Sequence, residues 1–476
     1  MDRMNPLDAS FLHIEDGVNH MHIGSVAVFD GPVPAFDDLR RLFAGKLPVV
    51  PRYRQRVRFV PLDLGRPVWA DDPHFDLEYH LRHTRLPGDG GEAALTTLVG
   101  RLMSQPLDRE RPLWEAWMVE GLDDGRWGLV SKVHHCMVDG IAGTDLVSLL
   151  LDRDPDAQPL DAVPWTPEPE PSEAELATTA LAELVRSPYE QYRALRSGTR
   201  APRELVRRAG EVAGGLRAYV GGMGRPPHSS VDGPIGPHRR WAPARSTLDD
   251  IRVVRRGLGG TVNDVVVTAV AQGFRELLLH RGEDPAVVGI RSLVPVSMRS
   301  ADARNVFDNR VSALVLELPV EVADPVECLH EVRRRMGELK SSHEIDAGGA
   351  LFAAAELAPA AVVAPAMRLA TRAMRALPQW VVNTVITNVP GPQEPLYVAG
   401  RRMVEYLPYV PIAQGLRIGV AALSYDGRLD FGVTGDRDHG IDVEVLAAGI
   451  EAGMGALVER AVAASAEADA AAAANN

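Results

Sequence analysis

The first 152 residues alternate between two hydrophobic periods. Ser25–Gly31 (SVAVFDG) and Arg126–Val133 (RWGLVSKV) are short, β-rich and bounded by glycine or polar residues, which predicts strands. Glu92–Leu107 (EAALTTLVGRLMSQPL) and Gly143–Asp152 (GTDLVSLLLD) place apolar residues at helical spacing, which predicts amphipathic helices. The pattern then lapses. Asp154–Glu175 carries Pro155, Pro159, Pro164, Pro167, Pro169 and Pro171 among acidic residues and predicts an extended, solvated linker. An arginine-rich helical stretch, Ala174 to about Tyr219, follows, and Gly221–Arg240 is a second irregular crossing.

From Trp241 the alternation resumes. Thr261–Gly282 (TVNDVVVTAVAQGFRELLLHRG) predicts a capped helix ending at glycine. Val287–Arg299, Val311–Pro319 and Leu416–Asp436 predict strands, the last a hairpin turning at Asp426–Gly427. After Ser465 the chain is almost all alanine and is expected to fray. The predicted organisation is an N-terminal domain over 1–152, a linker and crossover over 153–240, a C-terminal domain over 241–465 and a flexible tail over 466–476.

A chain of 476 residues is too long for one ordinary core and fits two domains of about 200 residues each. A net charge of −13 argues against general nucleic-acid binding, which needs a basic surface. Cys136 and Cys328 are the only cysteines, too few for a disulfide framework, which points to a reducing compartment. The first residues lack a signal-peptide pattern, and the longest apolar candidate, Leu357–Met367, is short and holds two prolines, so no transmembrane helix is predicted. Lysine occurs only at positions 46, 132 and 340, so a phosphate-rich ligand would be held by arginines or backbone N–H groups.

The candidate chemistry sits in Ser131–Asp145 (SKVHHCMVDGIAGTD). Adjacent side chains of an extended segment point to opposite faces, so one of His134 and His135 meets a ligand while the other packs behind it. Gly140 permits a sharp turn, and Asp139 is placed to fix that turn or pair with a cation. A metal site needs more ligands at recognisable spacing, and neither HExxH nor a second Cys/His cluster is present. No G-x-S-x-G elbow exists, and Cys136 beside His135 is awkwardly placed to be its nucleophile partner. A general base acting on a bound hydroxyl, for a gain of about 10²–10⁴-fold, fits best. An isolated histidine pair would serve structure as readily; the added aspartate and glycine favour function. Asn263 could donate to a developing oxyanion, or equally cap the helix it opens. Trp114 reads as core packing, and Gly257–Gly260 (GLGG) as a turn.

His134–Gly140 (HHCMVDG) resembles the HHxxxDG motif of the coenzyme-A-dependent acyltransferase superfamily. The whole chain is similar to the bacterial wax ester synthase/diacylglycerol acyltransferases, through PLDASFLHIE, MHIGSV, FDLEYHLRHTRLPGDGG, QPLDRERPLWEAWMVEGL, GPIGPHRR, TVNDVVVTAV, LVPVSMR, NRVSALVLELP and TNVPGPQEPLYVAGRRM. Asp308 departs from it, standing where that family usually has glycine. The resemblance implies an α/β (α+β) fold of two chloramphenicol-acetyltransferase-like domains, each a mixed sheet flanked by helices, with a tunnel between them. It implies His135 as base, His134 in placement and Asp139 holding the loop through an arginine. It sets Gly140, Asn263 and Asp264 at the substrates. Acyl-CoA is implied as co-substrate, with no metal or other cofactor. The acceptor implied is diacylglycerol, with a long-chain alcohol as the close alternative. A carrier-dependent condensation or tailoring acyltransferase and a non-catalytic lipid-binding homologue are the remaining readings. An insoluble acceptor implies a cytoplasmic enzyme held peripherally at the inner membrane face or on lipid droplets. The amphipathic stretch Pro365–Pro378, with Arg368, Arg372 and Arg375 on one face, is the candidate contact, or equally packs its apolar face on the core with the arginines solvated; Arg193–Arg217 is a second candidate.

Overall fold

The structure is a computed structural model that describes residues 2–138, 151–158, 160, 162–186, 229–297, 311–341, 382–439 and 442–474. In chain order it opens with β1 (Asp2–Arg3), α1 (Pro6–Ile14), β2 (His22–Phe29), α2 (Phe36–Lys46), β3 (Gln55–Arg58), β4 (Val68–Asp71), α3 (Leu77–His80), β5 (Leu81–Arg85), α4 (Glu92–Met103), β6 (Trp114–Glu120) and β7 (Trp127–His134). After α5 (Glu173–Arg186) come β8 (Arg239–Thr247), α6 (Leu248–Gly257), α7 (Val262–His280), β9 (Ile290–Ser297), β10 (Val311–Leu318) and α8 (Pro325–Ser341). The chain ends with β11 (Thr384–Pro390), β12 (Tyr397–Val398), β13 (Arg401–Tyr409), β14 (Ile418–Tyr425), β15 (Arg428–Asp436) and α9 (Val443–Ala474).

Two six-stranded sheets organise these elements, with a three-stranded sheet β1-β4-β3 beside the first. The first has the order β12-β13-β2-β7-β6-β5 and the second β10-β9-β11-β14-β15-β8. Both are mixed: β5 runs parallel to β6, and β11 parallel to β9 and β14. The mixed α/β architecture matches the expectation. Helices α6, α7 and α9 cover the second sheet, and Val265, Val267, Ala271, Phe274, Ile450 and Leu457 form the centre of its core.

The first sheet draws two strands from late in the sequence. β13 pairs antiparallel with β2, Tyr406 opposite Ala27, so residues beyond 400 complete a sheet begun before residue 30. The sheets approach closely at β13 and β15. A Cβ at Gly432 would sit 1.7 Å from the Pro408 carbonyl oxygen, so only glycine fits there. Trp241 locks the same contact by donating its indole N–H to Pro408 O at 3.0 Å. Arg239, fully buried, ties the halves again: its backbone N–H donates to Ser104 Oγ at 2.8 Å, and its guanidinium reaches the carbonyls of Gly236 and Val18.

Local chemistry explains several elements. The β14–β15 hairpin turns at Asp426 (φ 42°) and Gly427 (φ 82°), a pair suited to two left-handed positions. The proline-rich stretch is extended, and it is fastened to the N-terminal half. Glu170 accepts from Arg56 and Arg58, and Trp165 lies under Arg54 at 4.5 Å. The alanine-rich end, expected to fray after Ser465, continues α9 to Ala474, in keeping with the high helix propensity of alanine.

Candidate active site

Strand β7 is buried along its whole length and carries the histidine pair to its end. Its neighbours hold that end in place. The His134 N–H donates to Leu113 O at 2.9 Å, in the Pro112–Leu113–Trp114 segment, and the His135 N–H donates to Met21 O at 2.8 Å. Beyond His134 the chain turns into a short 3₁₀ helix, His135–Met137. The two rings therefore part.

His134 is fully buried. Its Nδ1 accepts the Cys136 N–H at 3.1 Å, which fastens the turn and leaves Nε2 facing Glu15 Oε2 at 3.6 Å. Glu15 follows α1 and is the hub of the site. Its Oε2 accepts from Arg109 Nη2 at 2.6 Å and Nε at 3.0 Å, and its Oε1 accepts the Met21 N–H at 3.2 Å. Burial by itself would raise the pKa of this carboxyl. The His134 and Arg109 contacts outweigh burial and hold it down to about 2.

His135 is half-buried, and its ring stacks on Phe11 of α1, centroids 3.9 Å apart at 26°. α1 is well anchored for this task. Asn5 caps it by accepting the Asp8 N–H at 2.8 Å, and Pro6 begins its first turn. Burial, and next the nearby His134, push the His135 imidazole down to about 4. At neutral pH it is therefore uncharged and able to take a proton.

Cys136 lies 1% exposed, and burial pushes its thiol well above the ordinary range. A thiol so protonated is a poor nucleophile. Trp114 is core: its indole N–H donates to Tyr53 O at 2.8 Å, and it stacks on His80 at 4.7 Å. Behind the pair, His22 lies opposite His134 in the β2–β7 register and stacks at 5.6 Å on His20, both buried.

Asn263 and Asp264 begin α7 in the other half. The helix cap is Thr261, whose hydroxyl accepts the Asp264 N–H at 3.2 Å while Asp264 Oδ2 accepts the Thr261 N–H at 2.8 Å. The alternative of Asn263 as cap is thus corrected: it occupies the second helical position. The Asp264 carboxylate bonds within its own turn and not to either histidine. Asp139, Gly140, Asp308 and the stretches 193–217 and 365–378 lie outside the described residues. Sequence reasoning missed Phe11, Glu15 and Arg109 as site residues, although PLDASFLHIE and QPLDRERPLW contain all three.

Residues 4–266 match the wax ester synthase/diacylglycerol acyltransferase catalytic domain, and residues 307–457 match the C-terminal domain of the same family. The chain is 39% identical over 460 residues to a probable diacylglycerol O-acyltransferase of Mycobacterium tuberculosis, covering 96% of each. It is 32% identical to a second, putative diacylglycerol O-acyltransferase of that species, covering 96% of this chain and 91% of the other. Among solved structures, it resembles the wax ester synthase/diacylglycerol acyltransferase of Marinobacter aquaeolei VT8 with a TM-score of 0.67 at 26% identity, over 96% of this chain and 99% of that one. A trichothecene 15-O-acetyltransferase of Fusarium sporotrichioides shares the fold, with a TM-score of 0.58 at 12% identity over 96% and 94% of the two chains.

Proposed function

The chain belongs to the wax ester synthase/diacylglycerol acyltransferase family and is an acyltransferase, and from that premise we propose that it moves a long-chain acyl group from acyl-CoA to the hydroxyl of diacylglycerol. The observation that carries the mechanism is the His135 ring stacked on Phe11 at the end of β7, where burial favours its uncharged form. His135 removes the acceptor hydroxyl proton as the oxygen attacks the thioester carbonyl. A tetrahedral oxyanion forms and collapses, the carbon–sulfur bond breaks, and the proton returns to the CoA sulfur, leaving free thiol and ester. No acyl-enzyme is formed, because the neighbouring Cys136 is buried and held protonated.

Glu15, Arg109 and His134 position this base. The resemblance assigns Asp139 to holding the loop through an arginine, and Gly140, Asn263 and Asp264 to the substrates. Diacylglycerol is preferred to a long-chain alcohol as acceptor because the 39%-identical relative carries the former activity in its name. None of the described helices is long and apolar enough to cross a membrane. We place the enzyme at a lipid surface as a peripheral protein, because its acceptor is nearly insoluble.

The test offers radiolabelled palmitoyl-CoA with diacylglycerol and hexadecanol in parallel and separates the products by chromatography. Labelled triacylglycerol in excess is expected. Wax ester in excess moves the assignment to long-chain alcohols, and release of CoA with neither product overturns it.

A further inference from the structure

The loop between β3 and β4 presents a bulky apolar side chain in an unusual way. Leu62 is 88% exposed, the most of any large hydrophobic residue among those described, and has φ 58°. Asp63 follows at φ 54°. Two consecutive left-handed residues, neither of them glycine, are uncommon, and a backbone held so at a surface tip points to a use.

The tip is rigid. The Asp63 N–H donates to Val60 O at 3.1 Å, and the Leu64 N–H donates to Pro61 O at 3.2 Å. Val60 and Leu64 pack inward with Leu176 and Ala180 of α5, so Leu62 between them is turned outward. Phe59, 41% exposed, shares the loop, and its ring meets His13 of α1 at 6.4 Å. Leu7 of α1 and Leu181 of α5 add exposed apolar surface on the adjoining elements. Of the arginines around the loop, Arg56 and Arg58 share Glu170 and Arg3, beside Gly65, donates to the Arg66 carbonyl at 3.2 Å, so the leading surface of the tip is the apolar Leu62.

We propose that the tip of this loop enters the lipid leaflet from which the acceptor is drawn, with Leu62 leading and Phe59 beside it. A second copy of the chain suits this shape poorly. One projecting leucine with three partly exposed apolar neighbours falls short of the flat patch of about 800 Å² per partner that a stable protein interface needs. A fluid leaflet closes around a point. The position also serves the chemistry, because α1 joins this loop at His13 and covers the base at Phe11. The inference rests on the proposed acylation of a bilayer-resident acceptor.

The experiment is flotation of the full chain with phosphatidylcholine vesicles containing diacylglycerol, at low and high salt. It compares the wild type with Leu62→Gly and with Leu62→Gly/Phe59→Ser. Glycine suits the left-handed backbone at position 62, so the variant folds. Leu62→Gly is expected to lower the vesicle partition coefficient about tenfold, and the double variant further, as apolar transfer requires. The loss is expected at both salt concentrations, with turnover of a short soluble alcohol by Leu62→Gly unchanged. Equal binding by wild type and variants overturns the proposal. So does a wild type that ignores vesicles; if that same protein still makes triacylglycerol from detergent-dispersed diacylglycerol, the proposed function stands while the docking loop falls. A wild-type dimer that Leu62→Gly converts to monomer assigns the tip to self-association. A marked fall in melting temperature in Leu62→Gly shows the leucine to be covered within the chain. Either of these results also overturns it.

Discussion

Replacing Glu15 with glutamine keeps the shape of the hub and removes its charge. The carboxyl is held down to about 2 against an ordinary 4.5. At about 1.36 kcal/mol per tenfold change in proton affinity, its surroundings favour the charged form by about 3 kcal/mol. The side chain is 6% exposed, so little of that is lost to solvent screening. Glu15→Gln leaves Arg109 without its counter-charge and alters the group facing His134 Nε2, and one amide group must meet contacts that required three acceptances by a carboxylate. A destabilisation of about 2–3 kcal/mol is expected, seen as a lower melting temperature at neutral pH. A depressed carboxyl stabilises the fold fully above pH 4.5 and loses that contribution as pH falls toward 2, so the gap between wild type and variant should close over that window. Activity should fall as well, because Glu15 fixes both His134 and the Met21 N–H, and the Met21 carbonyl holds the His135 backbone. A small displacement of a catalytic group costs about 10–100-fold. With a soluble alcohol and thiol release as readout, kcat should drop by that factor while KM for acyl-CoA changes little. Wild-type kcat and melting temperature in Glu15→Gln would refute the positioning role.

His135→Ala should lose acyl transfer by about 10²-fold or more without unfolding, while His134→Ala should retain more activity and melt lower; the reverse ranking would exchange their roles. Cys136→Ala should keep most activity, and a stable acyl group trapped on Cys136 after incubation with acyl-CoA alone would defeat the direct-transfer mechanism. The acid limb of kcat/KM should lie near the depressed His135 value of about 4, since the base is lost only as pH falls through it, and a half-maximum near 6.5 would contradict the burial argument.

Much of the fold was legible in local pattern. Thr261–Gly282 became α7, and Asp426–Gly427 turned the hairpin as its composition dictates. The strand before the histidine pair was visible because its apolar, β-branched run is bounded by Gly125 and by the pair itself. What local pattern could not carry was contact at long separation. Glu15 and Arg109 meet across 94 positions, and neither lies in a periodic signal that distinguishes it from an ordinary surface charge. Asn263 looked like a cap because asparagine caps well, but Thr261 two residues earlier, with aspartate three residues further on, competes better as a capping box. The descent of β13 into the first sheet was hidden for the same reason: strand alternation shows that a strand exists and says nothing of its partner.

That late strand sets a constraint on biosynthesis. Until Tyr409 has left the ribosome, β2 has no neighbour on its outer side, and its run from His22 to Phe29 is largely apolar. At about 5–20 residues per second the wait lasts on the order of tens of seconds, with an open strand edge available to any other nascent chain. A gene fragment ending near residue 152 would leave that edge bare permanently and should yield aggregates. Adding the segment from Tyr397 to Tyr409 as a separate peptide should restore solubility by filling the vacant place in the ladder.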